Sequence, residues 1–141
     1  MKVRLDKIKG DVMVSNDTYV LEDNNFLEHL TLSRTSLNPG MSTRGHSHDD
    51  QEEIYIFTKG KGNMVIGETT YNAMPNDTFL IPQGQFHRVI NQSEVDVCEF
   101  TCVFEKYDRS GNEAVYYTNL NKDKPKKERK QNILQRFCKW F

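Results

Sequence analysis

Apolar and polar residues alternate with period two through most of the first 120 positions, the pattern of strands buried on one face rather than of amphipathic helices. The alternation predicts strands at 3–8, 18–21, 26–37, 43–48, 53–58, 63–66, 69–72, 78–81, 85–91, 95–104 and 114–118. Between them lie segments with turn chemistry: Asn38-Pro39-Gly40, Gly60-Lys61-Gly62, Gly67-Glu68, Pro75-Asn76-Asp77 and Pro82-Gln83-Gly84. Many short strands at close, even spacing predict an all-β sandwich or barrel. The pattern changes near residue 121. A charged run at 122–130 is followed by Ile133, Leu134, Phe137, Trp140 and Phe141 at helical spacing, which predicts a linker and a short amphipathic C-terminal helix.

A chain of 141 residues has room for one ordinary domain, here a body at 1–120 followed by the tail at 121–141. Hydrophobic residues at 36% and charged residues at 28% are the composition of a soluble globular protein. Charge is unevenly placed. The last 21 residues hold eight basic side chains against two acids, a local charge of +6, so the net charge of −1 leaves −7 for the body.

Several classes drop out. The opening MKVRLDKIKGD has no apolar stretch and does not read as a secretory leader, and no apolar run approaches the ~18 residues of a membrane span. The cysteines, Cys98, Cys102 and Cys138, are odd in number. On one extended strand the first two would lie about 13 Å apart at ~3.3 Å per residue, beyond disulfide reach. A reducing, cytoplasmic compartment is expected.

The chemistry gathers at histidine. His46 and His48 are two apart, so on a strand both imidazoles leave from one face. A turn through Asp49, Asp50 and Gln51 would bring Glu52 or Glu53 back beside them, and His87, just after a Pro-x-Gly turn, would join from a neighbouring strand. An H-x-H pair alone also suits two ordinary surface or core histidines. Three imidazoles and one carboxylate together would make a mixed N/O site for a divalent transition metal such as Fe, Mn, Ni or Zn.

Spacing adds a resemblance. Gly40-MSTRG-His46-Ser-His48-DDQE-Glu53-IYIFTK-Gly60 matches the first motif of the cupin family, and Pro82-Gln-Gly84-Gln-Phe-His87-RVI-Asn91 matches the second, with Asn76 standing where that motif begins on Gly. The motifs cover Gly40 to Asn91, and the flanking strands extend the resemblance to 26–104. Resemblance to cupins implies a double-stranded β-helix, a jelly-roll barrel, with His46, His48, Glu53 and His87 as metal ligands. The motif spacing picks out Glu53 over Glu52, which should face the other way.

Strand parity from these ligands places Tyr55 and Phe57 inward with Glu53, and Gln85, Val89 and Asn91 inward with His87. Ile54, Ile56, Phe86 and Arg88 would face outward. Tyr55 is the candidate proton donor. Arg34, Arg44 and Gln85 are the candidate substrate contacts, the arginines suiting a carboxylate or phosphate.

By analogy with the small sugar and sugar-phosphate isomerase cupins, the expected function is a metal-dependent isomerase or epimerase acting on a small oxygen-rich substrate. An Fe(II)-dependent dioxygenase and a non-catalytic binding or sensing module are the alternatives. A homodimer is expected, because edge strands and outward Ile54 and Ile56 need cover. The basic tail is read as packing on the acidic body of its own or a neighbouring subunit. Contact with an acidic membrane surface is the lesser reading, and nucleic acid is not expected beside an acidic body.

Overall fold

A computed structural model describes residues 2–4 and 7–105, and in it the alternation becomes nine strands. In chain order they are β1 (Asp11–Ser15), β2 (Tyr19–Asn24), β3 (Leu30–Leu37), β4 (Glu53–Lys59), β5 (Gly62–Ile66), β6 (Thr69–Ala73), β7 (Thr78–Ile81), β8 (His87–Asn91) and β9 (Cys98–Glu105). Six form one sheet in the order β1-β2-β3-β9-β4-β7, and three form another in the order β6-β5-β8. Every pairing is antiparallel. Strands distant in sequence lie side by side, with β9, the last described strand, between β3 and β4.

One core fills the space between the sheets. Leu21, Leu37, Phe57, Phe100 and Cys98 from the larger sheet meet Met64, Ala73 and Val89 from the smaller. Their burial supplies most of the driving force for folding, at about 25 cal/mol per Å² of apolar surface. Phe57 and Phe100 set the centre, with ring centroids 5.5 Å apart, and Phe79 meets Phe57 edge-on at 5.6 Å. On the other face of β4, Ile54 stays 38% exposed, and Leu80, its neighbour on β7, 70% exposed.

Backbone register sorts the inner face into rows. Leu21, Thr35, Phe100 and Phe57 form an apolar row across β2, β3, β9 and β4. The next row is Asp23, Ser33, Cys102 and Tyr55, and beyond it Thr31, Phe104, Glu53 and Ile81 line up on β3, β9, β4 and β7. One end of the barrel is therefore an apolar plug and the other carries polar side chains.

The strand at 3–8 does not form among the described residues. Val3 and Ile8 instead line an apolar groove with Phe26, Leu27 and Leu32. β1, which the alternation did not pick out, takes the edge position. Only Met13 and Val14 of its five residues pack on the core, and a bulge between Val12 and Val14 breaks its period. The strand at 43–48 shrinks to one isolated bridge, His46 to His87, with a second just before it, Ser42 to Ile90. The strand at 26–37 starts only at Leu30. The strand at 114–118 and the C-terminal helix lie outside the described residues. Among the described residues no helix is long and apolar enough to cross a membrane.

Gly60 carries the turn between β4 and β5 at φ +75°, and a Cβ there would meet the Val97 carbonyl oxygen at 2.4 Å. Gly60→Ala should cost roughly 1–2 kcal/mol for the left-handed backbone alone. The urea midpoint is expected to fall at unchanged m-value, and an unchanged midpoint would count against this turn geometry.

Candidate metal centre

The chain brings its three motif histidines together through backbone pairing. His46 and His87 exchange both main-chain hydrogen bonds, His46 N to His87 O at 3.1 Å and His87 N to His46 O at 2.8 Å. Opposed residues of an antiparallel pair project to one side, so the two rings leave from the same face. Thr43 anchors this segment to β8. Its amide donates to the Val89 carbonyl at 2.9 Å and its hydroxyl accepts from the Val89 amide at 2.9 Å. Gly45 then turns the chain at φ +81°.

Two loop contacts hold the third histidine. Gly84 N donates to the His48 carbonyl at 2.6 Å, and the Gln83 side-chain amide donates to the Asp49 carbonyl. Gln51 donates from Nε2 to the Glu105 carbonyl at 3.1 Å, which leads the chain into β4. Glu53 opens that strand and is 3% exposed, while Glu52 is exposed.

The result is one cluster. Ring centroids are 4.6 Å apart for His46 and His48, 4.3 Å for His46 and His87 and 5.8 Å for His48 and His87. Glu53 reaches both of its neighbours, Oε1 to His48 Nε2 at 3.3 Å and Oε2 to His87 Nε2 at 3.0 Å. One donor atom from each of His46, His48, Glu53 and His87 falls within 4.8 Å of all the others, so the four could hold a single ion.

The donor chemistry fits a cation at this point. His87 Nδ1 lies 2.9 Å from the Gln85 carbonyl, which can only accept, so this nitrogen carries a proton. In a neutral ring Nε2 then presents a lone pair to the Glu53 carboxylate at 3.0 Å. Two acceptors face each other, and a proton on Nε2 or a cation between them relieves the contact. Burial holds the His46 imidazole down at about 3, with His87 and His48 adding to the effect, so it stays neutral with a lone pair to offer. Burial works against the Glu53 charge, but when His48 and His87 carry the protons that face it, their hydrogen bonds and charge win and bring its carboxyl down to about 2.

Tyr55 lies against this cluster, its ring 5.4 Å from that of His87 and stacked on Phe100 at 5.5 Å. Burial, then the nearby Cys102 and Glu53, pushes its phenol well above the ordinary value, so it remains protonated. The candidate substrate residues lie elsewhere. Arg34 is on the outer face of β3, bonded through Nη2 to Glu99 at 2.9 Å and 3.6 Å from Glu22 through Nη1. Alternation along β3 sends it away from Ser33 and Thr35, which point into the barrel. Arg44 is exposed, because the turn at Gly45 breaks the parity that would align it with His46. Gln85 is exposed as well, since β8 begins only at His87, and its contribution is the main-chain carbonyl.

Asn91 is buried and acts as a staple. Its Nδ2 lies 3.1, 3.0 and 2.8 Å from the carbonyls of Leu37, Asn38 and Asp96, and its Oδ1 accepts from Ser93 N at 3.0 Å. Thr43 was not legible as a site residue. Its only sequence signal is its place three residues before His46.

Residues 33–104, half of the chain, match the family described as Cupin domain. An uncharacterized protein of Methanocaldococcus jannaschii is 24% identical over 82% of this chain and 94% of its own length. A glucose-6-phosphate isomerase of Pyrococcus abyssi is 28% identical over 62% of this chain and 53% of that protein. Among solved structures, KdgF from Halomonas sp. superposes with a TM-score of 0.62 at 13% identity, covering 74% of this chain and 94% of that one, and shows the same fold. With both motifs in place on an antiparallel barrel and the family match spanning β3 to β9, the chain belongs to the cupin domain family.

Proposed function

We propose that His46, His48, Glu53 and His87 bind one divalent transition metal, Fe, Mn, Ni or Zn, and that the protein is an isomerase or epimerase of a sugar or sugar phosphate. The observation that carries this reading is the convergence of the four donors, with His87 Nε2 and Glu53 Oε2 facing at 3.0 Å. Similarity to the Pyrococcus abyssi isomerase supports the substrate class.

A divalent ion at this position would act as a Lewis acid on a carbonyl or hydroxyl oxygen and make the neighbouring C–H more acidic. The protein's own part is positioning and exclusion of water. The Gln85 carbonyl fixes the His87 tautomer, and Tyr55 lies against Glu53 and keeps a proton available beside the site. Phe57 and Phe100 close the far end of the barrel.

Metal-reconstituted protein should interconvert aldoses and ketoses in a panel of sugars and sugar phosphates, without consuming oxygen. Oxygen uptake by the iron form would overturn the isomerase in favour of a dioxygenase, and tight sugar binding without turnover would favour a binding module. The outer-face pair Ile54 and Leu80 supports a homodimer within the same reading, and a monomer by light scattering would remove that part.

A further inference from the structure

The interior of the barrel holds a second buried carboxylate. Asp23 is the last inward residue of β2, 3% exposed, in a strand whose other inward residues, Tyr19 and Leu21, belong to the core. Through the register it stands in one row with Ser33, Cys102 and Tyr55, and Tyr55 in turn lies against Glu53. Asp23 and Ser33 are thus the polar end of a row that reaches the metal centre through the core residues Cys102 and Tyr55. With strands about 4.8 Å apart, three steps from β4 to β2 amount to about 14 Å measured along the sheet.

Two features of this row point to a ligand. Asp23 Oδ1 has no hydrogen-bond partner among the described residues, and neither has Oε1 of Gln51, which is 7% exposed at the same polar end of the barrel. Buried acceptors of this kind are costly unless something donates to them. Burial pushes the Asp23 carboxyl up, with the Ser33 hydroxyl acting against that shift. The second feature is sign. Among the described residues no Lys or Arg is buried, and Arg34 is taken up by Glu22 and Glu99 on the outer face. Among the described residues the inner wall offers two carboxylates and no side-chain cation.

We infer that Asp23, with Ser33 beside it, forms the far end of the substrate site and accepts hydrogen bonds from hydroxyl groups, so that the substrate is a neutral polyhydroxylated molecule rather than a sugar phosphate. The inference rests on the metal-centred reading above and narrows it, parting from the phosphorylated substrate that the name of the Pyrococcus abyssi relative gives. A phosphate at that end would face a buried carboxylate with nothing to neutralise it, and like charges so placed reject a ligand strongly.

The test uses the full chain loaded with Co²⁺, whose visible spectrum reports on ligands entering the metal site, titrated with fructose and with fructose 6-phosphate. Wild type should bind fructose at least about tenfold more tightly than its phosphate. In Asp23→Asn, which keeps an acceptor oxygen but loses the charge, the phosphate should gain most of that factor while fructose changes little. Asp23→Asn should also melt no lower than wild type at neutral pH. A carboxyl whose folded-state value is raised costs stability once pH passes its unfolded value, and the amide avoids that cost.

Equal or tighter binding of fructose 6-phosphate by wild type overturns the inference, and that comparison needs no variant. Unchanged affinities in Asp23→Asn with full cobalt uptake overturn it too, while leaving the metal centre standing. Failure to bind cobalt at all overturns both.

Discussion

His87→Ala is expected to lower divalent-metal affinity by at least about 100-fold, since even loss of a residue supporting a ligand costs 10–100-fold. His87 is 1% exposed, is held by a two-way backbone pairing with His46, and has its ring fixed by the Gln85 carbonyl. Removing it takes away one nitrogen donor and leaves the buried Glu53 with one imidazole neighbour of its two. The control is His29→Ala, an exposed histidine outside the cluster, which should bind metal as wild type does. Calorimetric titration with Mn²⁺ or Ni²⁺ reads the difference. His48→Ala, at a site whose side chain is 8% exposed, gives a second variant should His87→Ala fold poorly. Undiminished, stoichiometric binding by both variants would contradict the proposed ligand set.

Phe100→Ala is expected to destabilise the fold by about 3–5 kcal/mol, the range for removing a buried aromatic side chain. Phe100 is fully buried on β9, the strand that joins β3 to β4, and its ring contacts those of Phe57 and Tyr55. Its loss opens a void beneath the metal centre as well as in the core. Against a total stability of about 5–15 kcal/mol that is a large share, and the melting temperature should fall by more than about 10 °C. Val95→Ala, at a position 81% exposed, should stay within about 0.5 kcal/mol of wild type. A Phe100→Ala melt within a degree or two of wild type would contradict the core described above.

How legible these features were depends on what fixes them physically. Parity along a strand is a hard constraint, so the inward Glu53, Tyr55 and Phe57 and the outward Ile54 followed from one motif glutamate. The turn at Asn76, with φ +77°, was equally readable, because Asn tolerates the left-handed backbone. Parity failed where the backbone leaves the strand, and the glycine at 45 turned Arg44 outward. Arg34, a candidate substrate contact on sequence alone, falls out of phase with the inward Ser33 and Thr35 of β3. Its fate was decided by Glu22 and Glu99, acids on the neighbouring strands that only the register brings to it.

Asp23 was missed for a related reason. Glu22-Asp23-Asn24-Asn25 has the composition of a turn, so the predicted strand stopped at residue 21. Pairing with β3 carries β2 on to Asn24 and buries Asp23. The N-terminal segment misled in the opposite sense: Val3 and Ile8, five apart and so on opposite faces of any strand, line one groove instead.

The most direct test of the metal centre is X-ray absorption at the Zn edge on wild-type protein reconstituted with one equivalent of Zn²⁺. The ligand set of His46, His48, Glu53 and His87 predicts a first shell of nitrogen and oxygen at about 2.0–2.2 Å with outer-shell scattering from three imidazoles and no sulfur at about 2.3 Å. A spectrum lacking histidine scattering, or showing sulfur in the first shell, would contradict it.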